Sequence, residues 1–89
     1  MTERTLKISN RLGLHARAAA RFVHLANSFQ SRILVHKGNA RVDGKSILGL
    51  LTLAAAKGTS LAMTADGKDE VEALDALESL IRDRFGEES

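Results

Sequence analysis

The chain has no cysteine, no proline, no tryptophan and no tyrosine, and its only aromatic side chains are three phenylalanines among 89 residues. Without cysteine there is no disulfide, no thiolate nucleophile and no Cys-based zinc site, so thiol redox roles are excluded and a reducing compartment is the natural setting. The scarcity of aromatics removes the stacking platforms on which single-stranded nucleic-acid binders depend. Charge of one sign is lacking too: 13 basic residues stand against 11 acidic ones for a formal net charge of +2, too balanced to neutralise a row of phosphates. Nucleic acid is therefore not an expected partner. No apolar run reaches membrane-spanning length, and Met1-Thr2-Glu3-Arg4-Thr5 leads into an alternating segment rather than a secretion signal. The expectation is a cytoplasmic protein without membrane insertion.

With 44% hydrophobic and 27% charged residues, the chain suits one domain, 1–89, with one core. There is no repeat, linker or low-complexity tract, and Gly, Asn and Asp supply the punctuation that proline does not. Leu6 and Ile8 alternate with polar neighbours as a strand that stops at Ser9-Asn10. From Ala16, the positions Ala19, Phe22, Val23 and Ala26 keep helical spacing, with Arg17, Arg21 and His24 opposite. Ile33 and Val35 form a second strand, and Gly38-Asn39 offers the positive φ angles of a hairpin into a third strand carrying Ala40 and Val42. Ser46 caps a second helix expected to run to Ala56, with Lys57-Gly58 as its basic last turn and left-handed cap. Leu61, Met63 and Ala65 make a fourth strand, turned at Asp66-Gly67. Asp69 and Glu72 then read as a capping box for a last helix with the stripe Leu74, Leu77, Ile81 and Phe85, closed by Gly86. This order implies an α+β fold: an open-faced β-sandwich with a four-stranded, mainly antiparallel sheet and three helices on one face, in the order β-α-β-β-α-β-α. Periodicity does not give the order of strands within that sheet.

The chemistry concentrates at Gly13-Leu14-His15-Ala16-Arg17, where the first helix begins. The free N–H groups of a helix's first turn and its dipole favour an anion there by about 0.3–1 kcal/mol. Neutral imidazole is a competent nucleophile near neutral pH, and the N–P bond it forms is far more labile than a serine phosphoester. A permanent cation such as Arg17 would stabilise a phosphoryl group, whose transfer asks of a protein mainly positioning and charge. By itself, His-x-Arg is better served by a histidine that only caps the helix and an arginine that is one solvated charge among many.

Three blocks in register decide between these readings. Asn10-Arg11-Leu12-Gly13-Leu14-His15-Ala16-Arg17, Val42-Asp43-Gly44-Lys45-Ser46-Ile47-Leu48-Gly49-Leu50 and Ala65-Asp66-Gly67-Lys68-Asp69-Glu70 with Ala73-Leu74 resemble the HPr family of histidine phosphocarriers. The resemblance implies an open-faced sandwich in which Nδ1 of His15 accepts phosphoryl from phosphoenolpyruvate-charged enzyme I of the phosphotransferase system. It further implies delivery to enzyme IIA-type proteins in sugar uptake, with Arg17 and the backbone N–H groups of Ala16, Arg17 and Ala18 holding the phosphoryl oxygens. The chain would be a carrier rather than an enzyme, would act as a monomer, and would need neither cofactor nor metal. The family pattern usually has proline where this chain has Ala18, which frees the first turn's φ and restores one N–H.

The same resemblance makes Ser46, already a helix cap, a regulatory phosphorylation site for an HPr kinase/phosphorylase. Phosphate at a helix N-terminus is electrostatically tolerated, so such a switch would leave the fold intact. The second helix has more apolar residues than one buried stripe needs: with Leu50, Leu53 and Ala54 toward the sheet, Ile47, Leu48 and Leu51 are left partly outward. Together with Ala20 and His24 they form the expected partner surface, apolar at its centre and basic around it. His24 and His36 have no metal-ligand spacing, and no acid–base pair emerges. The residues leave open a nitrogen-related, NPr-type phosphorelay carrier, and a binding protein controlled through Ser46.

Overall fold

The computed structural model describes residues 1–89. Four strands, β1 (Thr2–Lys7), β2 (Arg32–Lys37), β3 (Ala40–Asp43) and β4 (Ser60–Asp66), alternate with three helices, α1 (Ala16–Ala26), α2 (Ile47–Thr52) and α3 (Glu70–Arg82). They form one sheet in the order β1-β4-β2-β3, with every pairing antiparallel. The longest strand, β4, is central and pairs on both sides, with Leu6 opposite Leu61 and Val35 opposite Met63. Successive strand side chains point to opposite faces. Ile33, Val35, Leu61, Met63 and Ala65 thus turn inward and are buried, whereas Leu34, His36 and Ala62 sit on the open face.

The inward face meets the apolar stripes of the helices in a single cluster of 20 buried residues. From α1 come Ala18, Ala19, Phe22, Val23 and Ala26; from α3 come Ala73, Leu74, Leu77 and Ile81. Fully burying a side chain such as Phe22 contributes about 1.5–3 kcal/mol, so the helices are held by this face more than by their own propensity. The β2–β3 hairpin turns on two residues, of which only Gly38 takes a positive φ, +57°.

Three boundaries differ from the sequence expectation. The helix that starts at Ser46 ends at Thr52 rather than Ala56, because Ala54 takes a left-handed φ of +49°. Ala54 is thereby exposed instead of facing the sheet, while Lys37 Nζ caps the end by donating to the Leu53 carbonyl at 2.9 Å. Gly58 serves a different purpose: its N–H donates to the Ile8 carbonyl at 2.7 Å, closing the chain against β1.

The last helix departs at both ends. Asp69 makes no side-chain cap to α3. Its carboxylate accepts instead from the N–H groups of Gln30 and Ser31 at 2.8 and 2.9 Å and from the Ser31 hydroxyl at 2.5 Å. Those loop groups have no other acceptor as the chain enters β2, and they outcompete the helix for the carboxylate. At the C-terminus α3 stops at Arg82, and Phe85, though buried, belongs to a separate 3-10 turn, Arg84–Gly86. Arg84, Phe85 and Gly86 all have positive φ, +54°, +55° and +80°, so the chain reverses its helical hand and folds back toward the start of α1.

Candidate functional site

The segment that leads into α1 is fixed before the helix begins. Asn10, with no exposed surface, donates from Nδ2 to the Gly13 carbonyl at 2.8 Å. Gly13 has φ +68°, and a Cβ there would lie 2.5 Å from the Ala55 carbonyl oxygen, so only glycine fits. That same carbonyl accepts from the Leu14 N–H at 2.8 Å. His15 follows as the N-cap, with extended backbone, and its carbonyl accepts the first helical bond from Ala19 at 2.8 Å.

His15 caps the helix with its ring: the Arg17 N–H donates to Nδ1 at 3.2 Å. A nitrogen that accepts a hydrogen bond presents its lone pair, so in the neutral ring the proton sits on Nε2. Nε2 meets the Glu87 carboxylate, and the His15 side chain keeps about a quarter of its surface exposed. Glu87 in turn accepts from Asn10 Nδ2 at 2.8 Å. The hydrogen bond from Asn10 and then that from His15 hold the Glu87 carboxyl below the usual carboxylate range. Arg21 donates to the Phe85 carbonyl and so ties the reversed C-terminal turn to α1.

Arg17 is exposed, and its guanidinium has no partner in the chain. The N–H groups of Ala16 and Ala18 likewise have no acceptor within the chain. Ala16 is exposed, but Ala18 is wholly buried, so its donor lies beneath the surface of the first turn. The first turn therefore carries one nucleophilic nitrogen, backbone donors without acceptors in the chain and an unpaired cation, which suits an anion of phosphoryl type.

Ser46 is the N-cap of α2, its hydroxyl accepting from the Gly49 N–H at 3.0 Å. Ala20 and His24 are exposed on α1, Ile47 and Leu48 are 41% and 77% exposed on α2, and Leu51 is half-buried. Sequence reasoning missed Leu12, 62% exposed, which with Leu14, His15, Ala54, Ala55 and Ala56 borders an apolar hollow of about 200 Å³ against the imidazole. It also missed Asn10 and Glu87. An asparagine before a glycine turn reads as punctuation, and nothing local tells that a carboxylate 72 positions away returns to the ring.

The chain matches a family described as "PTS HPr component phosphorylation site" over residues 2–83. It is 51% identical over 87 residues to the phosphocarrier protein HPr of Neisseria meningitidis, covering 98% of each chain. Its fold superimposes on the crystal structure of HPr-C-His from Thermoanaerobacter tengcongensis with a TM-score of 0.96, at 47% identity and over 100% of both chains. A crystal structure described as an HPr dimer from the same organism gives a TM-score of 0.79 at 47% identity, covering 98% of this chain and 100% of that one.

Proposed function

Because the chain belongs to the HPr family of phosphocarriers of the phosphotransferase system, we propose that it carries a phosphoryl group on Nδ1 of His15. It takes that group from phosphoenolpyruvate-charged enzyme I and passes it to enzyme IIA-type acceptors in sugar uptake. The observation that carries this reading is the placement of Nδ1 at the mouth of α1, lone pair toward the Arg17 N–H at 3.2 Å and with the Arg17 guanidinium unpaired. A phosphoryl group bonded there replaces that contact with its own oxygens, which the N–H groups of Ala16 and Arg17 and the Arg17 side chain are placed to receive. The Ala18 N–H, also without an acceptor in the chain, completes the set from the buried side of the turn. Since the bond is to nitrogen, the group stays transferable and the chain is an intermediate rather than a catalyst with its own turnover.

Ala20, His24, Ile47, Leu48 and Leu51 flank the site as the docking surface for donor and acceptor alike, with Ser46 at its edge. Phosphorylation of Ser46 by an HPr kinase/phosphorylase adds about 2 negative charges beside that apolar patch and weakens docking without unfolding α2. The protein works as a monomer of the cytoplasm, as one carrier domain over residues 1–89, and no helix in it is long and apolar enough to cross a membrane.

Incubation with phosphoenolpyruvate and an enzyme I of the sugar or the nitrogen kind, followed by intact-mass measurement, tests the reading. One phosphoryl group appears on the parent chain and none on His15→Ala, and the sugar-type enzyme is the faster donor. Labelling that persists in His15→Ala overturns the assignment.

A further inference from the structure

We infer that Glu87 is a positioning residue for the imidazole, holding the proton on Nε2 and balancing the charge that the ring acquires when Nδ1 bonds to phosphorus. The inference rests on the reading that His15 carries the phosphoryl group. Side chains from the two ends of the sequence form one chain of contacts: Asn10 donates to Glu87 at 2.8 Å, Glu87 accepts from Nε2 of His15, and Nδ1 faces the helix mouth. Asn10 spends its two amide hydrogens on the Gly13 carbonyl and on Glu87, so one buried amide sets both the loop before the ring and the carboxylate behind it.

Beyond Asn10 and His15, no side chain bonds this carboxylate. Arg21 donates to the Phe85 carbonyl and acts on Glu87 only through its charge, and Arg84 reaches the backbone carbonyl of Glu87 rather than its side chain. Around the turn, φ is positive at Arg84, Phe85 and Gly86, a conformation free to the glycine but costing the two L-residues about 1–2 kcal/mol each. Burial of Phe85, 1% exposed, offsets that strain and fixes where Glu87 emerges.

The transfer step balances without a proton moving. The Nδ1 lone pair forms a bond to phosphorus while the donor's bond to phosphorus breaks and its electron pair leaves with the donor. The ring, still protonated on Nε2, becomes cationic and pairs with the Glu87 carboxylate. On delivery the N–P bond breaks, its electron pair returns to Nδ1, and the ring is neutral again with the same proton in place. A carboxylate behind an imidazole has this orienting and charge-balancing effect in other settings.

The test compares the parent chain with Glu87→Gln and Glu87→Ala, using enzyme I and phosphoenolpyruvate as donor. Loading is read by rapid quench and intact mass, and the Nε2 proton by nitrogen-resolved NMR. Gln still reaches the ring but carries no charge, so it separates a charge effect from a mere latch. We expect a downfield, slowly exchanging Nε2 proton in the parent that is lost in Glu87→Ala, and loading about tenfold slower in both variants. Parental loading by Glu87→Gln, or faster loading by Glu87→Ala, overturns the inference and makes the carboxylate a latch or an obstruction. Failure of the parent itself to load on His15 overturns the underlying reading, and is seen separately from any difference among the variants.

Discussion

At φ +68°, with the place of a Cβ only 2.5 Å from the Ala55 carbonyl oxygen, Gly13 admits no side chain. It stands two residues before the ring that the site depends on, and its carbonyl accepts from both Asn10 Nδ2 and the His15 N–H. Gly13→Ala is therefore expected to cost about 1–3 kcal/mol in denaturant unfolding, from left-handed strain and a backbone clash, and to slow phosphoryl loading by displacing His15. Unchanged stability would mean that the loop relaxes around the added methyl. At this scale the sequence was informative where chemistry is local. The position of His15 at the helix start, with Arg17 in its first turn, was legible because these lie within three positions, while the contact of Asn10 with Glu87 was not because it spans 77 positions.

Among the elements, α1 was the most legible, since its apolar stripe and polar face separate cleanly from Ala16 to Ala26. The short α2 was misjudged at its far end: Ala54, a residue with high helix propensity, takes a left-handed conformation because the chain must turn to bring Ala55 against Gly13 and Leu14. Its start was read correctly at Ser46, whose hydroxyl accepts from Gly49. Ser46→Ala is expected to lower stability by about 1 kcal/mol, measured as a shifted denaturant midpoint with an unchanged slope. The expected capping box at Asp69 failed for a different reason. A carboxylate goes to the strongest unsatisfied donors within reach, and here these are the Gln30 and Ser31 groups, 39 and 38 positions away.

For the whole molecule, strand number and direction followed from the order of elements, but strand order did not, because alternation tells which face is buried and not which neighbour is paired. Three carboxylates tie remote segments together: Asp69 to the Gln30–Ser31 loop, Glu70 to Thr2 and the N-terminal amine, and Glu87 to Asn10 and His15. Each is held below the usual carboxylate range, Asp69 first by the Ser31 hydroxyl, Glu70 first by the Thr2 hydroxyl, and Glu87 first by Asn10. The folded chain thus binds these protons less tightly than the unfolded chain. Their contribution is complete above about pH 5, past the unfolded values, and is lost as acid titrates from there down through the lowered folded values. Thermal unfolding followed from neutral pH downward should show a midpoint that falls most steeply below that point. Asp69→Asn should flatten the fall, since one of the linked protons is removed.

The most direct test of the central claim is phosphorus–nitrogen correlated NMR on nitrogen-labelled protein after loading from phosphoenolpyruvate and enzyme I. A phosphorus coupled to Nδ1 of His15, with Nε2 still carrying its proton, is the result this account predicts. A phosphorus coupled to Nε2, or found only on a hydroxyl oxygen, would contradict it.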